Sequence, residues 1–319
     1  MNRSKRSLTV SVTFAKVGSK YKRLLKTILK FSITAAALFF VIRKIDVSDI
    51  IQLYSQSKPF YIFLALLLFA LSKLVSAYRL NIYFRAIGLQ LEEKSNIKLY
   101  LLGMFYNLFL PGGIGGDGYK IYLLQKQFQT GTKKIFGAVL TDRISGMAAL
   151  VVLALFGASF LHVESVNAFT VYNLQFTIYN LVFLLAPLVF LAYYLFIKYL
   201  YPYFLKINML TFGYAFVVQL LQVACAWSLL LALGETENHL AYLVIFLVSS
   251  AIAVLPISVG GVGVRELTFL YGSQLLNVDM NVAVGISFLF YLITAVVSLS
   301  GIYYVFRLVK FDGDSSSPD

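Results

Sequence analysis

One phrase occurs twice, 145 residues apart, and sets glycine, proline and charge into otherwise apolar sequence. The first copy reads Leu110-Pro111-x-x-Ile114-Gly115-Gly116-x-Gly118-Tyr119-Lys120, the second Leu255-Pro256-x-x-Val259-Gly260-Gly261-x-Gly263-Val264-Arg265. The first brings together Asn107, Asp117 and Lys120: an amide, a carboxylate and an ammonium. The second ends in the adjacent charges of Arg265 and Glu266. Glycines let backbone approach a ligand closely, and consecutive N–H groups form an anion-binding concavity. An arginine fork binds two phosphate oxygens at once. A helix beginning near Gly118 would turn its positive end on the same guest, with Lys120 beside it. The chemistry implied is recognition of a phosphate-bearing group, with Glu266 neutralising Arg265 when the site is empty.

Each feature also has a plainer reading. The glycines serve tight helix packing and a chain bend equally well, and Lys120 can extend along the helix to the membrane surface. Arg265 with Glu266 can be an ion pair that anchors a helix at the interface. Asp142 and Arg143 read either as site residues or as the charged start of a span. Lys73 is expected to reach the interface beside Arg79. Gln219 and Gln222, on one helical face, are expected to bond between helices. Cys225 is the single cysteine, which excludes an intrachain disulfide. His162 and His239 are too far apart in sequence to suggest a metal site. No phosphate-loop, zinc-protease or serine-hydrolase phrase occurs, so no catalytic residue, metal or cofactor is assigned.

The elements that must position these residues follow from composition. With 60% hydrophobic residues, 13% charged and a mean hydropathy of +0.81, the chain does not read as a soluble globular domain. It reads as an all-α polytopic membrane protein. Apolar runs of about 17–25 residues place full crossings near 26–42, 60–80, 144–161, 177–197, 210–233 and 282–306. Two further apolar regions, 100–128 and 240–276, hold the repeated phrases and are read as re-entrant hairpins. Such breaks are costly in hydrocarbon unless protein or an aqueous cavity satisfies the freed backbone groups. Paired breaks in corresponding parts of two repeats point to a transporter's substrate site.

Charge orients the spans. Residues 1–30 carry nine Lys or Arg and no acid, and the apolar stretch that follows lacks a small-residue cleavage site. With both termini inside, 22 of the 27 cations fall in cytoplasmic segments. Three full crossings between the hairpins would make them inverted copies, the first opening inward and the second outward. The domain division expected is a basic cytoplasmic segment at 1–25, a transmembrane domain at 26–308 and a polar disordered tail at 309–319. The net charge of +13 sits in short loops beside apolar spans, so an anionic lipid surface, not nucleic acid, is the expected partner.

These phrases, in this order and spacing, resemble the transmembrane region of lysylphosphatidylglycerol synthases, a group of flippase-like membrane proteins. The resemblance rests on the run from Asn107 to Lys120, on Asp142-Arg143-Ile144-Ser145-Gly146 and on the run from Leu255 to Glu266. It covers about 30–308. Gly118 is a departure, since many members carry alanine or a larger residue there. Long members add a soluble domain that transfers an aminoacyl group from tRNA to phosphatidylglycerol, and no such segment lies within these 319 residues. The resemblance therefore implies a lipid-handling module of the cell (inner) membrane that moves a phospholipid or lipid-linked substrate between leaflets. The substrate-binding residues expected are Asn107, Gly115, Gly116, Asp117, Lys120, Asp142, Arg143, Gly260, Gly261, Arg265 and Glu266. The alternatives are a membrane-embedded headgroup transferase, with Asp117 or Asp142 as base, and a non-catalytic scaffold for lipid-modifying enzymes. Oligomeric state is left open.

Overall fold

The computed structural model describes residues 54–109, 115–161, 169–171, 174–176, 178–254 and 261–306, together with Ser32 and Phe39. The expected basic segment, the first span apart from Ser32 and Phe39, and the polar tail lie outside the described residues, as do 110–114 and 255–260 at the centres of the repeated phrases. The elements, in order, are helices α1 (Pro59–Ala86), α2 (Glu93–Phe109), α3 (Gly115–Phe128) and α4 (Thr132–Ala158), strands β1 (Phe169–Val171) and β2 (Leu174–Phe176), then helices α5 (Ile178–Leu200), α6 (Asn208–Ala232), α7 (His239–Val254), α8 (Val264–Leu276), α9 (Met280–Leu299) and α10 (Ile302–Phe306). A 3-10 turn over Pro202–Ile207 leads into α6. The protein is an all-α polytopic membrane protein. Its strands form one short antiparallel ribbon, Phe169 opposite Phe176, in what the sequence presents only as a loop.

The first described helix shows why this sequence folds as it does in lipid. Pro59 sits in the first turn, where its missing N–H costs nothing. Phe60, Phe63, Leu67, Leu71, Leu74 and Tyr78 recur every three or four residues and are exposed. Ala65, Phe69, Ser72, Ser76 and Arg79 follow the same period on another face and are buried. In water the exposed stripe would be a large apolar patch, whereas hydrocarbon is as apolar as the stripe itself. Polarity is thereby directed to the interior.

Among the described residues, four helical stretches are long and apolar enough to cross a membrane: Pro59–Ala86, Thr132–Ala158, Pro202–Ala232 and Met280–Val305. Helix α5 adds 23 residues and carries Pro187 within it, a residue membrane helices tolerate where neighbours satisfy the freed carbonyl. The largest boundary difference is in α4. Its apolar run suggests a start near residue 144, but the helix starts at Thr132, so Asp142 and Arg143 lie inside it and not at its end. Hydropathy counts two charges as a boundary; the fold pairs both with partners on other helices.

The chain packs as two sets of four helices. In the first, α1 packs on α2 and α4, α2 on α3, and α3 on α4; in the second, α6 packs on α7 and α9, α7 on α8, and α8 on α9. Contacts between the sets correspond as well: α4 meets α6 and α7, while α9 meets α1 and α2. The two leading helices, α1 and α6, pack extensively on each other, and α5 lies against α4 outside this pattern. The repeated phrases occupy the same place in each set, between α2 and α3 and between α7 and α8.

Candidate functional site

One cavity of about 360 Å³ is lined by all eight helices of the two sets. Its wall includes Phe69 and Leu150 from one apolar cluster and Leu80 and Val139 from another, so it lies where the two meet. Asn107, Asp117, Lys120, Asp142, Arg143, Gly261 and Arg265 all line it. Residues up to 158 positions apart in sequence are thus brought to one chamber. Gly115, Gly116 and Glu266 do not line it, and Gly260 lies outside the described residues.

The first phrase builds its part through a helix start. Helix α3 begins at Gly115, three residues earlier than Gly118, and Asn107 Oδ1 at the end of α2 accepts the Gly116 N–H at 2.8 Å. That bond ties the two sides of the break together and satisfies one of the helix's orphan donors. Asp117 then falls in the first turn, where the helix dipole favours a carboxylate. Its Oδ1 lies 2.9 Å from Lys120 Nζ, and its Oδ2 accepts from Arg143 Nε of α4. Lys120 also stands over the Tyr100 ring, 4.7 Å from its centroid. The lysine does not extend to the membrane surface; it is 5% exposed.

Gly116 and Gly103 settle why this phrase needs glycine where α2 and α3 touch. A Cβ on Gly116 would sit 1.9 Å from the Gly103 carbonyl oxygen, and one on Gly103 would sit 2.2 Å from Lys120 Cε. The helices approach backbone to backbone, and the lysine stem runs through the gap. A Cβ on Gly118, in the same phrase, would meet nothing within 4 Å.

The second phrase divides its adjacent charges. Glu266 Oε2 accepts the Gly263 N–H at 2.6 Å, and Oε1 accepts from Ser287 Oγ of α9 at 2.9 Å. Gly263 is the residue before α8 and has φ of +84°, a conformation that disfavours side chains. Glu266 therefore caps its own helix and fastens it to α9, and it is 1% exposed. The expected neutralisation of Arg265 is not the arrangement found. Arg265 instead donates from Nη1 to Ser250 Oγ at 3.3 Å and lies over the Phe290 ring, 4.8 Å from its centroid. Replacing Glu266 with alanine is expected to lower stability by roughly 1–3 kcal/mol, since the buried Ser287 hydroxyl and Gly263 N–H lose their acceptor. A thermal unfolding scan in detergent checks this, with ligand affinity of the protein that remains folded expected to stay within about twofold.

Two cavity cations are hard to find from sequence. Arg79 reads as an interfacial charge after an apolar run, yet it is 5% exposed, and its Nε donates to Asp142 Oδ1 at 2.7 Å. Its Nη2 reaches the Asp142 carbonyl at 3.1 Å. Lys73 lines the same wall, Nζ 4.5 Å from the Phe69 ring centroid, and does not run to the interface. The usable signal was position on the helix: Phe69, Ser72, Lys73, Ser76 and Arg79 share the face opposite the aromatic stripe. Gln219 also faces inward, donating from Nε2 to the Gly146 carbonyl at 3.0 Å, and so joins α6 to α4.

The electrostatic balance is one-sided. Lys73, Arg79, Lys120, Arg143 and Arg265 line the cavity against Asp117 and Asp142, five cations to two carboxylates, an excess of three positive charges. No cluster of three or more His, Cys, Asp or Glu side chains able to hold a metal occurs among the described residues. A chamber with that balance is suited electrostatically to an anion.

The family model described as the lysylphosphatidylglycerol synthase TM region matches residues 27–301. A UPF0104 membrane protein of Pyrococcus horikoshii is 28% identical over 120 residues, which is 37% of this chain and 35% of that protein. The chain therefore matches about a third of that relative's length.

Proposed function

The chain belongs to the lysylphosphatidylglycerol synthase transmembrane-region family, and from that premise we propose that it binds the headgroup of an anionic phospholipid or lipid-linked substrate in its central cavity and moves it between leaflets. The observation that carries this reading is the excess of three positive charges in a chamber walled by both repeated phrases. A lipid divides naturally across such a protein. Its headgroup exchanges hydration for Arg and Lys contacts inside, and its acyl chains stay against the exposed apolar stripes. Binding at a point shared by two matching helix sets is the arrangement from which alternating access follows, one set rocking against the other around a fixed site. In this reading the broken segments are re-entrant, the sets are inverted copies, both termini are cytoplasmic and the protein works in the cell membrane.

Each residue then has a task. Arg265 and Lys73 attract the phosphate, while Lys120 and Arg143 exchange Asp117 for phosphate oxygens as the headgroup enters. Asp117 keeps those two cations in place when no lipid is bound. The Arg79–Asp142 pair, buried and joining α1 to α4, is suited to hold the wall. The test is transbilayer movement of labelled phospholipids in vesicles carrying the purified protein. Wild-type protein is expected to equilibrate an anionic phospholipid between leaflets, and Arg265→Ala to bring the rate near that of empty vesicles. Equal rates for wild type, variant and empty vesicles, with both proteins folded, would reject the reading in favour of a headgroup transferase or a scaffold.

A further inference from the structure

Lys73 of α1 and Arg265 of α8 come from opposite halves of the chain and line the same cavity. The other three cations there share two carboxylates: Arg79 pairs with Asp142, and Lys120 and Arg143 with Asp117. Among the described residues no carboxylate lies within ion-pair distance of Lys73 or Arg265, and the nearest in sequence, Glu266, is committed to capping α8. What the two cations have instead is aromatic surface. Lys73 Nζ is 4.5 Å from the Phe69 centroid, and Arg265 Cζ is 4.8 Å from that of Phe290 and 5.9 Å from that of Phe246.

The three rings form one cluster. Phe290 packs edge-on against Phe69 at 5.4 Å and against Phe246 at 4.8 Å between centroids. A ring face attracts a cation through its quadrupole and carries no formal charge, so it steadies the cation without cancelling it. An Asp or Glu in the same place would satisfy each cation and have to be displaced by a ligand. This cluster keeps two positive charges ready. Arg79 adds Nη1, buried and without a hydrogen-bond partner among the described residues.

Charge matching then selects the ligand. A phosphodiester headgroup brings one negative charge and leaves most of the excess unmet. A terminal phosphate, whose second proton leaves near pH 6, brings about two, and a diphosphate more. An aminoacylated headgroup adds positive charge to a chamber already in excess. We propose that the headgroup bound here ends in a phosphomonoester or diphosphate, seated between Lys73 and Arg265 on the Phe69–Phe290–Phe246 cluster. This rests on the reading that the cavity takes a lipid headgroup. It sets the substrate class apart from both neutral and aminoacylated phospholipids.

The test is equilibrium binding to the purified full chain in nanodiscs of zwitterionic lipid. Four probes with the same acyl chains are compared: phosphatidic acid, diacylglycerol pyrophosphate, phosphatidylglycerol and lysylphosphatidylglycerol. The two terminal phosphates are expected to bind on the order of tenfold or more tighter than phosphatidylglycerol, with lysylphosphatidylglycerol weakest. Lys73→Gln and Arg265→Gln should each erase that margin, and Lys73→Arg and Arg265→Lys should restore it. If a glutamine variant does not fold, the wild-type order decides alone. Phosphatidylglycerol or lysylphosphatidylglycerol binding as tightly as phosphatidic acid overturns the proposal, as does a margin unchanged in both folded glutamine variants. Inorganic pyrophosphate is run as a soluble competitor. If it binds as tightly as the lipid diphosphate, the polyanion site stands and its source is soluble, which removes the lipid reading. Vesicle movement separates the remaining cases. Movement without a terminal-phosphate margin sinks this inference and leaves the transport reading standing, and a margin without movement does the reverse.

Discussion

Replacing Asp117 with asparagine is expected to cost the folded protein roughly 3–5 kcal/mol, the range seen when one partner of a buried ion pair is removed. Asp117 is 5% exposed and accepts from both Lys120 and Arg143. Lys120 is equally buried, and once the carboxylate is gone its nearest compensation is the Tyr100 ring. The amide keeps the shape and loses the charge, so the loss is electrostatic and not steric. Unfolding followed in detergent, by tryptophan fluorescence or helicity, should show the shift, and vesicle movement should fall towards background. A second variant separates stability from function. Asp117→Leu with Lys120→Met removes both deeply buried charges at similar volume; only Arg143, whose side chain is 31% exposed, then loses this acceptor. The double variant should recover much of the lost stability, because exchanging a buried pair for apolar side chains is often neutral. It should not recover movement. Asp117→Asn with unchanged stability would mean that Lys120 and Arg143 are compensated elsewhere.

The second large effect is expected at Gly116. A Cβ there meets the Gly103 carbonyl oxygen at 1.9 Å and the Gly103 carbonyl carbon at 2.6 Å. The obstacle is backbone, which cannot rotate aside, so α2 and α3 must separate. Gly116→Val should cost roughly 1–3 kcal/mol or more, the range for overpacking. It should also weaken the Asn107 to Gly116 bond that ties the break together. Lys120, whose stem passes Gly103, would be displaced from Asp117, so headgroup affinity should fall along with stability. Gly118→Ala is the control in the same turn. A Cβ there meets nothing within 4 Å, and the change should lie within about 0.5 kcal/mol. Equal losses at the two positions would show that backbone freedom, not close approach, governs this phrase.

These two residues also mark what sequence conveys. The repeated phrase announces itself because proline and paired glycines are rare within apolar runs, and it directs attention to Asp117, Lys120 and Arg265. Which glycine packs and which stands free depends on the neighbouring helix, and sequence does not carry that distance. The adjacent charges of Arg265 and Glu266 invite pairing, yet consecutive residues on a helix point about 100° apart. That angle sends Glu266 back to its own N-terminus and Arg265 into the cavity.

Arg79 and Lys73 were obscured by the positional rule that places cations near span ends at the interface. Their partners, Asp142 sixty-three residues away and the Phe69 ring, lie within the fold. The same error shortened α4, because Asp142 and Arg143 are far less costly in hydrocarbon once paired. The fold class was legible from composition and the length of apolar runs. The correspondence of the two helix sets was legible only at the phrases themselves, since the packing that repeats around them involves helices with little sequence in common.

The most direct measurement is photolabelling with an anionic phospholipid that carries a small photoreactive group on its headgroup, incorporated into vesicles with the protein. Adducts are expected on peptides from both halves, at Lys73, between Asn107 and Lys120, and around Arg265, and they should diminish in Arg265→Gln. Adducts confined to the outward stripe of α1, at Phe60, Phe63, Leu67 and Leu71, would contradict the claim that one cavity built from both repeated phrases receives the headgroup.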